Sequence, residues 1–345
     1  MSRSLLPSCR ALFPSMVLLL ALAGGGRAIA APADSPAPEE PTLGTDLLDG
    51  VIGEFPGELL GPVGPLGGVI TPTPGTEIFT GTIVSGGITR SYAGIRPIGA
   101  PAGAPVLVLL HPRAQSPART ANLTRIGRLA ADYGAWIYLP AAVAALWSDH
   151  PLTGLVDDVG FLDALITREV AANDLDGRRV YAAGYSNGGF MVQRLACERP
   201  SLLAGIAIVA ATIRDGVANR CGGPRRLPVV MFNGTLDLLT LYGGSLGQKS
   251  APATAAFWAE RNQCAPGSYT VMAIPDRDTR DGTTANVGRY GRCADSMVAL
   301  YTINNGGHTW PGTELAGYTL GLGATSGDVD ATLELWRQLI PYARR

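Results

Sequence analysis

Charge is scarce in this chain. Asp, Glu, Lys and Arg make up 16% of the 345 residues, the formal net charge is −1, and Lys249 is the single lysine. A sequence so weakly charged builds no field that would attract a polyanion, which argues against nucleic acid as a partner. Histidine is also rare: His111, His150 and His308 are the whole supply, so chemistry that needs a base near neutral pH has three candidates. No CxxC pair occurs and the histidines lie far from the cysteines in sequence, which removes the usual grounds for a zinc site. The apolar run Met16 to Ala23 is much shorter than the roughly 20 residues that span a bilayer, so no stable membrane anchor is expected. There is no internal repeat. What is present is apolar bulk: 46% of the residues are hydrophobic, enough for one large α/β domain.

Arg3 and Arg10 precede the apolar run, and Ala28-Ile29-Ala30 follows it with small residues at the spacing a signal peptidase reads. A cleaved secretory signal over residues 1–30 is expected, taking Cys9 with it. Cys197, Cys221, Cys264 and Cys293 remain, an even number in a chain bound for an oxidising compartment. Of three connectivities, joining Cys197 to Cys221 and Cys264 to Cys293 closes short loops at low entropic cost; four free thiols is the alternative. Residues 31–74 are rich in Pro, Gly and Ala and read as a linker or surface arm, with the folded domain starting near Gly75.

Beyond Gly75, strand and helix signals alternate. Val106 to Leu110 and Ala135 to Leu139 are short apolar runs bounded by prolines and a histidine, as in buried strands. Val159, Leu162, Leu165, Ile166 and Val170 recur at helical spacing. Strand signals return at Val180 to Ala183, Gly205 to Val209, Pro228 to Phe232 and Met297 to Ile303, with helices expected over Thr254 to Arg261 and Val329 to Tyr342. The alternation implies an α/β fold with a mostly parallel central sheet and helices on both faces.

Directly after the strand at Val180 stands Gly184-Tyr185-Ser186-Asn187-Gly188, a G-x-S-x-G sequence followed by a helical stretch from Phe190 to Glu198. In that context the serine sits on a sharp turn with its hydroxyl projecting above the sheet, and the helix N-terminus, with the Asn187 amide, faces the place where an oxyanion forms. Ser186 is the candidate nucleophile. Its base is expected at His308, in a glycine-rich loop past an apolar strand and downstream of the serine, and its acid at Asp237, a short turn after Val229 to Phe232; this is the α/β-hydrolase order of serine, acid, histidine. His111 ends the first strand and is expected to shape the oxyanion loop. Asp276, Asp278 and Asp281 lie in an Arg-rich polar loop that reads as solvated surface, and Arg280 spoils it as a calcium site.

These motifs resemble the secreted polyhydroxybutyrate depolymerase and feruloyl esterase group of α/β hydrolases from about Gly75 to the C-terminus. The resemblance includes Thr89-Arg90-Ser91-Tyr92, Asp157-Asp158-Val159-Gly160-Phe161, Tyr242-Gly243-Gly244 and Gly307-His308-Thr309-Trp310-Pro311-Gly312. Similar members carry cysteines around the positions of the four here, which supports the pairing above. The sequence departs from the pattern in the loop after the first strand: His111-Pro112-Arg113-Ala114-Gln115 stands where relatives commonly read His-Gly-Cys-x-Gln. Leu146 precedes Trp147 where relatives tend to have cysteine, and joint loss of both cysteines is expected if they normally pair. Asn233 replaces a usual histidine. Proline has no amide hydrogen, so the second oxyanion donor is expected at Arg113.

The resemblance implies ester hydrolysis by acyl transfer through Ser186, with no metal or organic cofactor, on an oligomeric or polymeric ester; feruloyl or acetyl-xylan esterase activity is the alternative, and a secreted binding protein with a decayed site a third reading. Trp147, Trp310 and Tyr185 are candidates for contact with substrate, with core packing an equal alternative for Trp147.

Overall fold

The computed structural model describes residues 66–152, 154–222, 226–313 and 321–344; the expected signal segment and most of the expected arm lie outside them. Ten strands form one sheet in the order β1-β2-β4-β3-β5-β6-β7-β10-β9-β8. The strands are β1 (Thr76–Ser85), β2 (Ile88–Pro97), β3 (Val106–Leu110), β4 (Trp136–Pro140), β5 (Val180–Tyr185), β6 (Gly205–Val209), β7 (Val229–Gly234), β8 (Tyr269–Ile274), β9 (Thr284–Tyr290) and β10 (Val298–Asn304). The six central strands, β4 to β10 in that order, pair in parallel, and β1, β2, β8 and β9 extend both edges antiparallel. This is an α/β-hydrolase architecture.

The helices are α1 (Pro117–Thr124), α2 (Gly127–Tyr133), α3 (Asp158–Ala172), α4 (Asn187–Glu198), α5 (Asp215–Ala218), α6 (Ala251–Arg261) and α7 (Ala331–Leu339). Their starts follow from local chemistry. Ser116, Asp157, Ser250 and Asp330 each accept a backbone N–H of the first turn, and Pro117 and Pro252 open α1 and α6 where no amide hydrogen is needed. β3 shows how the sheet divides two cores: Val106, Val108 and Leu110 pack with α3, α4 and α6, whereas Leu107 and Leu109 pack with α1, α2 and α7. The period of two along a strand buried on both faces makes the run continuously apolar.

The fold differs from expectation in one segment and adds elements that were not expected. Residues 66–74, expected to belong to a linker or arm, are fixed on α1. The Leu66 carbonyl accepts from the Ala118 amide, Thr71 N donates to Asn122 Oδ1, and Ile70 is buried in the core. The β1–β2 hairpin, α1, α2 and the β8–β9 pair had no sequence expectation. β1 is half-buried or exposed throughout and mixes polar with apolar residues, whereas β8, exposed along most of its length, does carry a short apolar run, Val271 to Ile274, from which no strand was expected.

Disulfides join Cys197 to Cys221 and Cys264 to Cys293. The first ties the last turn of α4 to the segment after α5, and the second ties the end of α6 to the end of β9. No helix among the described residues is long and apolar enough to cross a membrane.

Candidate active site

β5, β7 and β10 run in the same direction within the sheet, so the residues just past their carboxyl ends meet at one edge. Ser186 follows β5 directly, Asp237 stands three residues past β7, and His308 four past β10. His308 Nδ1 lies 2.8 Å from Asp237 Oδ2, with both side chains buried. The other carboxylate oxygen, Oδ1, accepts from Leu239 N at 2.9 Å and Thr240 N at 2.7 Å. Asp237 therefore closes its own turn with one oxygen and holds the imidazole with the other.

Ser186 has φ 52° and ψ −119°, a backbone conformation costly for a residue with a Cβ and held only where the surroundings impose it. Its amide donates to Val209 O at 2.8 Å and its carbonyl accepts from Phe190 N at 3.0 Å. The flanking glycines are required. A Cβ at Gly184 would collide with the Gly188 carbonyl, and one at Gly188 would collide with the Leu110 carbonyl and stand 2.7 Å from His111 O. The hydroxyl of Ser186 makes no hydrogen bond to His308 or to any other described residue. The link between them is Tyr185, whose phenol donates to His308 O at 2.6 Å and whose ring stacks on the imidazole at 5.5 Å. Burial, then the charge of Asp237, push the Tyr185 phenol up, so it remains a donor.

The loop after β3 contains four backbone positions, one of them free to bind. Pro112 has no N–H, Ala114 N donates to Ala145 O at 3.0 Å, and Gln115 N donates to Pro112 O at 3.3 Å. Among the described residues the N–H groups of Arg113 and Asn187 donate to nothing. Their spacing is set by a hydrogen-bonded bridge absent from the sequence reading. Asn187 Oδ1 accepts from Trp147 N at 2.8 Å, its Nδ2 donates to Trp147 O at 3.2 Å and Asp149 Oδ2 at 3.0 Å, and Trp147 Nε1 donates to His111 O at 3.0 Å. Arg214 pairs with the same Asp149 oxygen at 3.0 Å.

His111 locks the other side of this loop. Ala142 N donates to its Nε2 at 3.0 Å, so Nδ1 carries the proton and donates to Pro112 O at 2.8 Å. Burial pushes its pKa down to about 4, against a rise from the Pro112 hydrogen bond. The Arg90 and Asp158 of the two upstream motifs form a buried pair at 2.6 Å, Arg90 lies 3.9 Å over the Phe161 ring, and Asp158 Oδ2 accepts from Ser148 N at 2.7 Å. Those motifs hold the Trp147 loop against α3.

The three aromatic candidates for substrate contact are corrected. Trp147, Trp310 and Tyr185 are all buried, and Trp310 turns inward to donate from Nε1 to Thr332 Oγ1 at 3.1 Å. Their rings pack into the protein beneath the site, with Trp147 bordering a small cavity. A cavity of about 360 Å³ lies at β1 and β2 and contains no triad residue. A smaller one, about 110 Å³, is lined by the Trp147 loop from Leu146 to Leu155.

The family described as Esterase PHB depolymerase matches residues 90–221. NocK of Nocardia uniformis subsp. tsuyamanensis, named as an esterase, is 30% identical over 254 residues, 67% of this chain and 73% of that protein. The chain belongs to the PHB depolymerase and feruloyl esterase family. Feruloyl esterase B of Piromyces equi, another relative in this esterase family, is 27% identical over 221 residues; the match covers 59% of this chain and 39% of that longer protein. The acetyl xylan esterase from Aspergillus awamori shares the fold, with a TM-score of 0.51 at 14% identity over 67% of this chain and 94% of that structure.

Proposed function

We propose that this chain is a secreted serine esterase that hydrolyses carboxylic esters. The observation that carries the reading is the buried His308–Asp237 contact of 2.8 Å beside a serine held at positive φ between a strand and a helix. His308 Nε2 takes the proton of Ser186 as Oγ attacks the ester carbonyl. The oxyanion is received by the N–H groups of Asn187 and Arg113, neither of which donates to another described residue, and the positive end of α4 adds to their effect. His308 then protonates the leaving alcohol, and a water, deprotonated in turn by His308, releases the acid. Asp237 keeps the imidazole in the tautomer with Nδ1 protonated. Secretion is supported by the two disulfides and by the Arg-flanked apolar run near the N-terminus. The substrate is an ester, with the family favouring an oligomeric or polymeric one, and neither nucleic acid nor a stable membrane anchor is involved.

A fluorophosphonate probe should label Ser186, as mapped by peptide mass spectrometry. Ser186→Ala should abolish labelling and lower hydrolysis of p-nitrophenyl acetate by about 10³-fold or more while the circular dichroism spectrum stays unchanged. Retention of wild-type activity by that variant would sink the nucleophile assignment.

A further inference from the structure

Every strongly exposed leucine among the described residues lies in two segments beside the triad. Leu152 and Leu155, 71% and 76% exposed, sit on the Trp147 loop; Leu238 at 83%, Leu239, Leu241 and the fully exposed Leu246 follow the acid. Single exposed apolar residues need no explanation, but a concentration of one type around a reactive site does.

The backbone beneath them is fixed. Asp237 Oδ1 holds the Leu239 and Thr240 amides, Leu236 N donates to Gly306 O at 2.9 Å, and Gly244 N donates to Leu241 O at 2.9 Å. The Leu246 turn is pinned to the segment before α5 by Asp215 N to Gly247 O at 2.9 Å and Lys249 N to Ile213 O at 3.0 Å. That segment carries Arg214, which is bonded to Asp149 and through it to Asn187. Hydrogen bonds thus run from the base, through the acid's turn and the Leu246 turn, to the residue after Ser186, and leucines project along this path. Ordered backbone under exposed aliphatic side chains is the arrangement of a binding surface.

The chemistry of the surface narrows its partner. From Leu236 to Gln248 the only charged residue is Asp237, which is buried against His308, and the flanking cations are already paired, Lys249 with Asp215 at 3.1 Å and Arg214 with Asp149 at 3.0 Å, so the ridge itself offers no unpaired cation to an anionic headgroup. Among the described residues the ridge carries no exposed aromatic ring, and the site's tryptophans are buried. Branched aliphatic side chains standing apart on separate turns suit insertion between mobile, uncharged hydrocarbon chains. Resting on the esterase reading, we propose that the leucines of these two segments form an interfacial docking surface by which the enzyme engages a fluid aggregate of neutral aliphatic ester.

The experiment compares two rates for each protein: hydrolysis of dissolved p-nitrophenyl acetate and hydrolysis of tributyrin as its concentration crosses the solubility limit. Wild type should accelerate sharply once droplets form. The double variant Leu238→Ser with Leu246→Ser should lower the ratio of droplet rate to dissolved rate by about tenfold, whereas Val271→Ser, an exposed residue on β8, should leave the ratio unchanged. Flotation of inactive Ser186→Ala protein with the droplets reads docking apart from chemistry, and adding the leucine changes should release it. The proposal is overturned if wild type shows no rise with droplets, if the double variant keeps the ratio, if Val271→Ser lowers it equally, or if the ridge instead mediates a dimer that the double variant dissociates. Failure on dissolved ester with intact flotation would refute the esterase reading and leave the docking surface standing.

Discussion

Acid should loosen the oxyanion loop through a single imidazole. His111 is almost wholly buried, its Nε2 accepts the Ala142 amide, and its pKa is pushed down to about 4 from an ordinary 6.5, mainly by burial. Above pH 6.5 the ring is neutral in the folded and unfolded chain alike, and the full stabilisation is present. As pH falls from there towards about 4 the unfolded chain takes up a proton that the folded protein refuses, so stability declines by about 1.4 kcal/mol per pH unit. Once the folded protein is protonated as well, the loss is complete at about 3 kcal/mol. His111→Gln removes the titration while an amide oxygen can still accept from Ala142. Urea unfolding of both proteins at about pH 7.5 and about pH 4.5 should show wild type losing about 2–3 kcal/mol more than the variant. The difference between the two proteins cancels the carboxylates that titrate in the same range. Equal losses in the two proteins would show that the buried imidazole is already charged or can be hydrated without cost, and the reasoning would fall.

Three substitutions probe the rest of the site. Asp237→Asn keeps an oxygen for the Leu239 and Thr240 amides but misorients His308, and kcat on p-nitrophenyl acetate should drop by about 10³-fold to 10⁴-fold with KM little changed. Asn187→Ala retains the oxyanion amide and removes the clamp on Trp147 and Asp149; thermal unfolding should report a loss of about 2–3 kcal/mol, and kcat should fall by about 10-fold to 100-fold as the Arg113 amide drifts. Gly188→Ala drives a methyl into the Leu110 and His111 carbonyls, with an expected cost of about 3 kcal/mol; an unchanged melting temperature would mean that the end of β3 is free to shift.

The legibility of the sequence differs from part to part for physical reasons. β3, β5, β6 and β7 are buried throughout and β10 over most of its length, so each appears as a largely apolar run. Ser186, Asp237 and His308 each stand a few residues beyond such a run, which is why order and spacing were enough to bring them forward. The edge strand β1 shares its surface with water and lacks that signature, whereas β8 carries a short apolar run, Val271 to Ile274, that was passed over although it is mostly exposed. Arg113 was put forward because Pro112 has no amide hydrogen; the Ala114 and Gln115 amides are engaged with Ala145 O and Pro112 O. The aromatic residues misled because proximity along the chain to His308 or Ser186 says nothing about which way a ring turns; Trp310 points to Thr332, on a helix more than twenty positions later. The Asn187 clamp was invisible for a related reason. Its partners, Trp147 and Asp149, lie about forty residues upstream, and only a polar side chain entering a helix with no evident cap function hinted at it.

The left-handed backbone at Ser186 has a bearing on how this chain is maintained. Glycine would adopt φ 52° with less strain, so Ser186→Gly should melt at a higher temperature than the native protein while hydrolysing nothing. A lineage released from the need for catalysis would thus gain stability by discarding this residue first. A serine at this position therefore sets the stability of the sheet edge against the reactivity proposed for its hydroxyl.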